Sequence, residues 1–232
     1  MTMQAKRFPA RHRYAALLFV LVASLVTQSM RSAMDLYDIA LDGVSAALAV
    51  AIYVAVFRRT PEHRLMAVTL ALVVAIGLVR DTVPPHHETT WALVFQALTA
   101  IYLGTAVTRI LLDLFTEPRP GIQNILGAIC GYLIAGALFG CLNTIAYVLA
   151  PGAFNVDPQV THLSDNWHGR IALFSYYAYT QLLTIGYADV TPVRAPATTL
   201  SLFAAIFGVF YTAVVVSQLV AVAQSGQRNE RE

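Results

Sequence analysis

The sequence predicts an all-α membrane protein with six transmembrane helices, and three observations predict it. Hydrophobic residues make up 57% of the 232 positions and charged residues only 12%, about half of the quarter that soluble domains carry. The charges sit in clusters separated by long apolar runs, and runs of roughly 18 or more apolar residues are what span a bilayer. Lipid offers no hydrogen-bond partners to the backbone, so each run is expected to be a helix. The formal net charge of +2 says nothing by itself, and no nucleic-acid partner is expected.

The first run goes from Tyr14 to about Ser29, between Arg13 and Arg31. Its basic leader (Lys6, Arg7, Arg11, Arg13) also resembles a signal peptide, although no clear A-x-A cleavage site follows. The second runs from about Leu36 to Phe57 and ends at Arg58-Arg59, and the third, Leu65 to Val79, is closed by Arg80-Asp81. The fourth spans Trp91 to about Phe115, the fifth about Ile122 to Leu149, stopped by Pro151-Gly152, and the sixth about Ala197 to Ala223. Cys130 and Cys141 lie eleven residues apart in the fifth run. That is about 16 Å along a helix, too far for the roughly 7 Å that a disulfide tolerates.

Orientation follows from the basic residues. With the N-terminus cytoplasmic, eleven of the fifteen Lys and Arg residues fall on the inner side, and Arg31, Arg80, Arg170 and Arg194 fall outside. A multi-pass cell-membrane protein with both termini in the cytoplasm is expected. The outer loops gain Asp35, Asp81, Glu88, Asp157, Asp165 and Asp189, which raises the local cation concentration. Pro118, Pro120 and Gly121 divide the chain into a four-helix block, residues 1–117, and a two-helix block, residues 118–232. The tail after the sixth helix is too short for a soluble ligand-sensing domain.

The connection between the fifth and sixth helices carries the chemistry. Arg170 to Leu183 reads as a short helix. Roughly fourteen helical residues reach about 21 Å, short of a hydrocarbon core of about 30 Å, so this helix enters and returns. Thr184 to Asp189 follow as non-helical backbone, which is tolerated at membrane depth only where protein buries it or water solvates it.

Thr184-Ile185-Gly186-Tyr187-Ala188-Asp189, with Thr191-Pro192 after it, resembles the potassium-channel filter T-V-G-Y-G-D-x-x-P. In that family backbone carbonyls replace the hydration shell of the ion. Turning successive carbonyls to one side requires alternating backbone handedness, which is why glycine recurs. The resemblance implies that Thr184, Ile185, Gly186, Tyr187 and Ala188 form the ion sites, with potassium held at Thr184 to Tyr187. It implies that the Tyr187 and Asp189 side chains point behind the filter, and that Tyr177 donates to Asp189. Gly208 stands 21 residues after Tyr187, at the family's gating hinge, and close helix packing explains it equally. Thr212, Val216 and Val220 recur every four residues and fit either an inner cavity wall or plain packing. One filter loop per chain implies a homotetramer in the bilayer. No cofactor or enzymatic activity is expected, since no nucleophile–base pair, phosphate loop or HExxH occurs.

The pattern departs from the family at Ala188, where a second glycine is usual, at Leu183, where a polar residue is common, and at Gln181, where a smaller one is frequent. Left-handed backbone at Ala188 is costly by about 1–2 kcal/mol, so selectivity for potassium over sodium is open. The four-helix block matches a voltage sensor in helix count only. A sensing helix needs arginines at every third position, and the fourth helix has Arg109 alone, with Asp113 one turn on as an ion-pair candidate. Asp38 and Asp42 share a helix face, as a cation or proton site or simply at the water interface. His86, His87 and Glu88 are a metal or pH-sensing candidate, or an exposed loop. Three other readings stay open: a nonselective cation channel of the same fold, an ion-uptake transporter (whose related proteins carry four such loops in one chain), and a non-conducting or regulatory subunit.

Overall fold

Helix α5 (Ile122–Leu149) is apolar all round and has a small residue at nearly every turn, among them Gly127, Gly131, Gly136 and Gly140. Small residues let helices approach closely where lipid removes the hydrophobic force between them, and four other helices pack on this one. The structure, a computed structural model, describes residues 13–29, 38–58, 60, 62–79, 87–116, 122–161 and 167–229, with the backbone alone for 28–29, 38–42, 88, 116, 216 and 218–229. Before α5 come α1 (Arg13–Ser29), α2 (Asp38–Ile52, prolonged by a π-helical turn, Tyr53–Phe57), α3 (His63–Val79) and α4 (Glu88–Thr116). After it come β1 (Phe154–Val156), α6 (Trp167–Leu182), β2 (Val190–Pro192) and α7 (Ala195–Asn229).

The six apolar runs are therefore helical, and α6 is the short helix expected between the last two. By length and composition, Thr89–Phe115, Ile122–Leu149 and Ala195–Val215 are able to cross a membrane, whereas Arg13–Thr27, Gly43–Phe57 and His63–Val79 are shorter apolar helices. Helix α4 lies antiparallel to α5, with Gly104 against Leu138 and Ile110 against Gly131. Helix α1 packs on another face, where the Tyr14 ring meets Gly127 and the Cys130 thiol donates to the Tyr14 carbonyl at 3.5 Å. Cys130 and Cys141 are both free thiols.

Helices α6 and α7 take the remaining surface of α5. The Tyr179 hydroxyl of α6 donates to the Leu133 carbonyl at 2.7 Å, and the Tyr211 hydroxyl of α7 donates to the Ala128 carbonyl at 2.6 Å. Each tyrosine passes over a glycine, Gly136 and Gly131 respectively, where an added Cβ would collide with it. The main apolar cluster joins Leu17, Phe57, Tyr102, Ile110 and Ile134 to Leu182 and Ala204, so side chains from both sides of the expected block boundary share it. A second cluster, at the far end of α5, gathers Ala146, Phe154, Phe174, Tyr177 and Val190.

Several expectations fall on residues outside this description. They are the boundary residues Pro118, Pro120 and Gly121, the charges Lys6, Arg7, Arg11, Arg31, Arg59, Arg80, Arg119, Arg231, Asp35, Asp81 and Asp165, and His86. The side chains of Asp38, Asp42, Glu88, Val216, Val220 and Arg228 are likewise not described. The expected pairing of Arg109 with Asp113 is corrected. Arg109 instead forms an ion pair with Glu62, from the turn before α3, while Asp113 lines a polar recess with Arg13 and Tyr14. One turn apart on α4, the two residues face different neighbours.

Candidate functional site

The stretch singled out in the sequence begins where α6 stops. The Thr184 N–H donates to the Gln181 carbonyl at 3.0 Å and the Ile185 N–H to the Thr180 carbonyl at 2.8 Å. These two bonds make a Schellman motif, whose turning residue adopts left-handed backbone and is usually glycine. Here Thr184 takes it, with φ 56°. Leu183 N–H donates to the Tyr179 carbonyl at 2.9 Å, and the Tyr132 hydroxyl from α5 donates to the Leu182 carbonyl at 2.9 Å. A helix end leaves four carbonyls unpaired within the helix, and at this end Tyr179 to Leu182 all have donors.

From Thr184 onward, left-handed backbone recurs at every second residue: Thr184 at φ 56°, Gly186 at 62° and Ala188 at 69°. Ile185 and Tyr187 between them are not of that hand. The signs alternate as a one-sided row of carbonyls demands. Glycine adopts this region freely, but a residue with a Cβ is strained there by about 1–2 kcal/mol. The strain expected at Ala188 is thus present, and Thr184 shares it. All five residues from Thr184 to Ala188 are exposed on the single chain.

Beyond Ala188 the backbone is gripped again. The Asp157 N–H donates to the Asp189 carbonyl at 2.8 Å, and β2 pairs antiparallel with β1, Val190 opposite Val156 and Thr191 opposite Asn155. Val193 N–H closes the ladder on the Ala153 carbonyl at 2.8 Å. The Val190 side chain is buried with Phe154, Phe174 and Tyr177. The chain after Ala188 therefore runs back beside the segment that follows α5.

The tyrosine expected to brace Asp189 is the wrong one. Tyr177 is buried at 2% exposure and its hydroxyl shares a 2.7 Å hydrogen bond with Ser201 Oγ on α7. The bond to Asp189 comes from Tyr176, whose hydroxyl donates to Oδ2 at 3.0 Å. One residue is 100° of helix, which turns Tyr177 toward α7 and Tyr176 toward the stretch. The Tyr187 ring lies parallel to that of Tyr176, 3° apart in plane with centroids 6.3 Å apart.

Gly208 is buried on α7, and a Cβ there would collide with the Leu182 backbone carbonyl. Close packing thus accounts for this glycine, and α7 runs unbroken through it. Thr212, one turn on, is exposed and turns its hydroxyl back to the Gly208 and Val209 carbonyls at 3.0 and 2.9 Å. The side chains of Val216 and Val220 are not among those described.

Residues 128–225 match the model of a family described as ion channel. Over this segment, less than half of the chain, the sequence is similar to that ion-channel family. The match covers most of α5, all of α6, the stretch Thr184 to Asp189, and α7 to residue 225. Neither the curated proteins nor the solved structures yield a match. The match supports an ion-transport role in a membrane.

The matched segment also contains contacts that sequence reasoning missed. The Tyr176 bond was obscured because tyrosines stand at 176, 177 and 179, and composition cannot choose among them. The β1–β2 pair has three residues per strand, too few for a periodic signal. The Tyr132 donor to Leu182 joins residues 50 positions apart and has no local signature.

Proposed function

We propose that the protein is a passive cation channel, conducting potassium through a pore shared by four copies, with Thr184 to Ala188 as the selectivity filter. The observation that carries this reading is the alternation of left-handed backbone at Thr184, Gly186 and Ala188. Carbonyls turned to one side at successive residues are what replace the water around a bare cation. Helix α6, 16 residues long, reaches about 24 Å and is a re-entrant pore helix. Its middle packs on Phe154 through Phe174, and its C-terminal residue, Leu182, sits against Gly208 in α7. The chain then returns to β2 beside β1. The C-terminal end of a helix is negative, which favours a cation beneath the filter.

Four copies are supported by what one copy leaves uncovered. Leu183, Ile185 and Tyr187 are exposed, as are Leu202, Phe203, Ile206, Val209 and Phe210 on α7. In the assembly these residues face the pore axis, neighbouring copies or lipid. Six spanning helices, cytoplasmic termini, a four-helix block over residues 1–117 and a cavity lined by Thr212 complete the arrangement. The test is reconstitution into liposomes: properly assembled protein should carry potassium under an imposed gradient, and its failure to do so sinks the proposal.

A second reading, a nonselective cation channel, is favoured by one observation, the φ of 69° at Ala188. Strain there relaxes the outermost ion site and blunts discrimination. Bi-ionic reversal potentials separate the two readings. With potassium on one side and sodium at equal concentration on the other, a potassium-selective channel reverses far from zero, by the logarithm of its permeability ratio, and a nonselective one reverses near zero.

A further inference from the structure

Ala188 holds a conformation that alanine disfavours, and strained backbone persists only where its surroundings over-determine it. The residue next to it, Asp189, is fixed through three routes. Its carbonyl accepts from the Asp157 N–H at 2.8 Å. Its carboxylate accepts from the Tyr176 hydroxyl at 3.0 Å. Its successor Val190 is 4% exposed, wedged among Phe154, Phe174 and Tyr177 and paired with Val156. Residues 153–157 follow α5, 27 to 31 positions before Thr184, yet they form the rail against which the outer end of the filter is set.

We propose that the β1–β2 pair, closed by the Asp157 N–H, is a specificity-determining clamp that holds Ala188 in the left-handed conformation a second filter glycine would adopt unaided. This inference rests on the filter reading given above. The clamp substitutes for glycine: glycine at position 188 needs no enforcement, and alanine does. Asp157 is a positioning residue, acting through its backbone N–H and the Asp189 carbonyl on the carbonyl direction at Ala188. Its side chain is engaged elsewhere, accepting from the Gln159 N–H at 2.8 Å.

Asp157→Pro removes the N–H, and because Asp157 already precedes Pro158 its backbone is biased to the extended region that proline accepts. Asp157→Asn keeps the N–H and serves as the conservative control. Both are made in the natural chain and with Ala188→Gly, and bi-ionic reversal potentials are recorded from the reconstituted tetramer. In the natural chain Asp157→Pro is expected to raise the sodium-to-potassium permeability ratio about fivefold, as the loss of one net hydrogen bond implies, and by less than about twofold beside Ala188→Gly. Asp157→Asn is expected to leave the ratio unchanged in both backgrounds. An equal change in the two backgrounds, or none in the natural chain, overturns the clamp and leaves the filter reading standing. A natural chain that conducts without preferring potassium, or does not conduct, overturns the filter reading and the clamp together. Should Asp157→Pro fail to assemble, Tyr176→Phe removes the side-chain half of the clamp and the same cycle decides.

Discussion

The two ends of the Thr184–Ala188 stretch meet the same conformational demand by different means. Each carries a left-handed residue that is not glycine, Thr184 at φ 56° and Ala188 at φ 69°. At the inner end the handedness is local: it is the turning residue of a Schellman motif, set by carbonyls only three and five residues back in α6. At the outer end it is imposed from a distance, by Asp157 and β1. A helix cap travels with its own helix and tolerates motion elsewhere. A clamp made by a remote segment fails when that segment moves. The inner end should therefore respond to substitutions that disturb the seat of α6, and the outer end to those that relieve or release Ala188.

The largest effect is expected at the inner seat. A Cβ at position 208 collides with the Leu182 carbonyl, which is backbone and cannot rotate away. Gly208→Ala should destabilise the assembled protein by about 3 kcal/mol, the upper part of the range for overpacking, with a lowered thermal midpoint in detergent and reduced flux. A neutral result would mean that α7 and α6 separate readily, so that the inner end is not seated as described. Tyr132→Phe comes next. It removes the donor to the Leu182 carbonyl and leaves a buried acceptor unpaired, a loss of about 2 kcal/mol. The same midpoint measures it, and selectivity should change little, because the Schellman bonds that orient Thr184 are untouched.

How much of this was legible in the sequence differs between the two ends. The inner end was mostly legible: a short helix before Thr184, non-helical backbone after it, and a glycine 21 residues beyond Tyr187 all lie in one stretch of chain. Alternating handedness and the strain at Ala188 followed from the resemblance to the potassium-channel filter. What stood out of reach was tertiary. Asp157 and Asp189 are 32 residues apart, and the bond between them is made by backbone atoms, so no residue type betrays it. Choosing Tyr176 over Tyr177 turned on 100° of helix rotation, which needs the position of α7 to resolve. Arg109 found Glu62 rather than Asp113 because the turn before α3 lies against that face of α4, again a matter of packing.

At the outer end the sign reverses. Ala188→Gly relieves the strain of left-handed alanine, about 1 kcal/mol per chain, so the thermal midpoint should rise and preference for potassium over sodium sharpen. Both readouts are needed. A higher midpoint with unchanged reversal potential would show that the clamp already sets the carbonyls as well as glycine does, and that the substitution merely removes its load.

The smallest effect is expected from Arg109→Gln, and it bounds the comparison. Arg109 and Glu62 are partly exposed, with side-chain accessibilities of 30% and 46%. Exposed pairs of this kind are screened by solvent and contribute about 0.5 kcal/mol or less. The pair joins α4 to the turn before α3 and touches neither the α6 seat nor the clamp. Midpoint and reversal potential should both stay within error of the natural chain. A shift in the reversal potential would mean that the four-helix block sets the Thr184–Ala188 stretch through α4 and α5. Neither end could then be treated as governed by its own anchor alone.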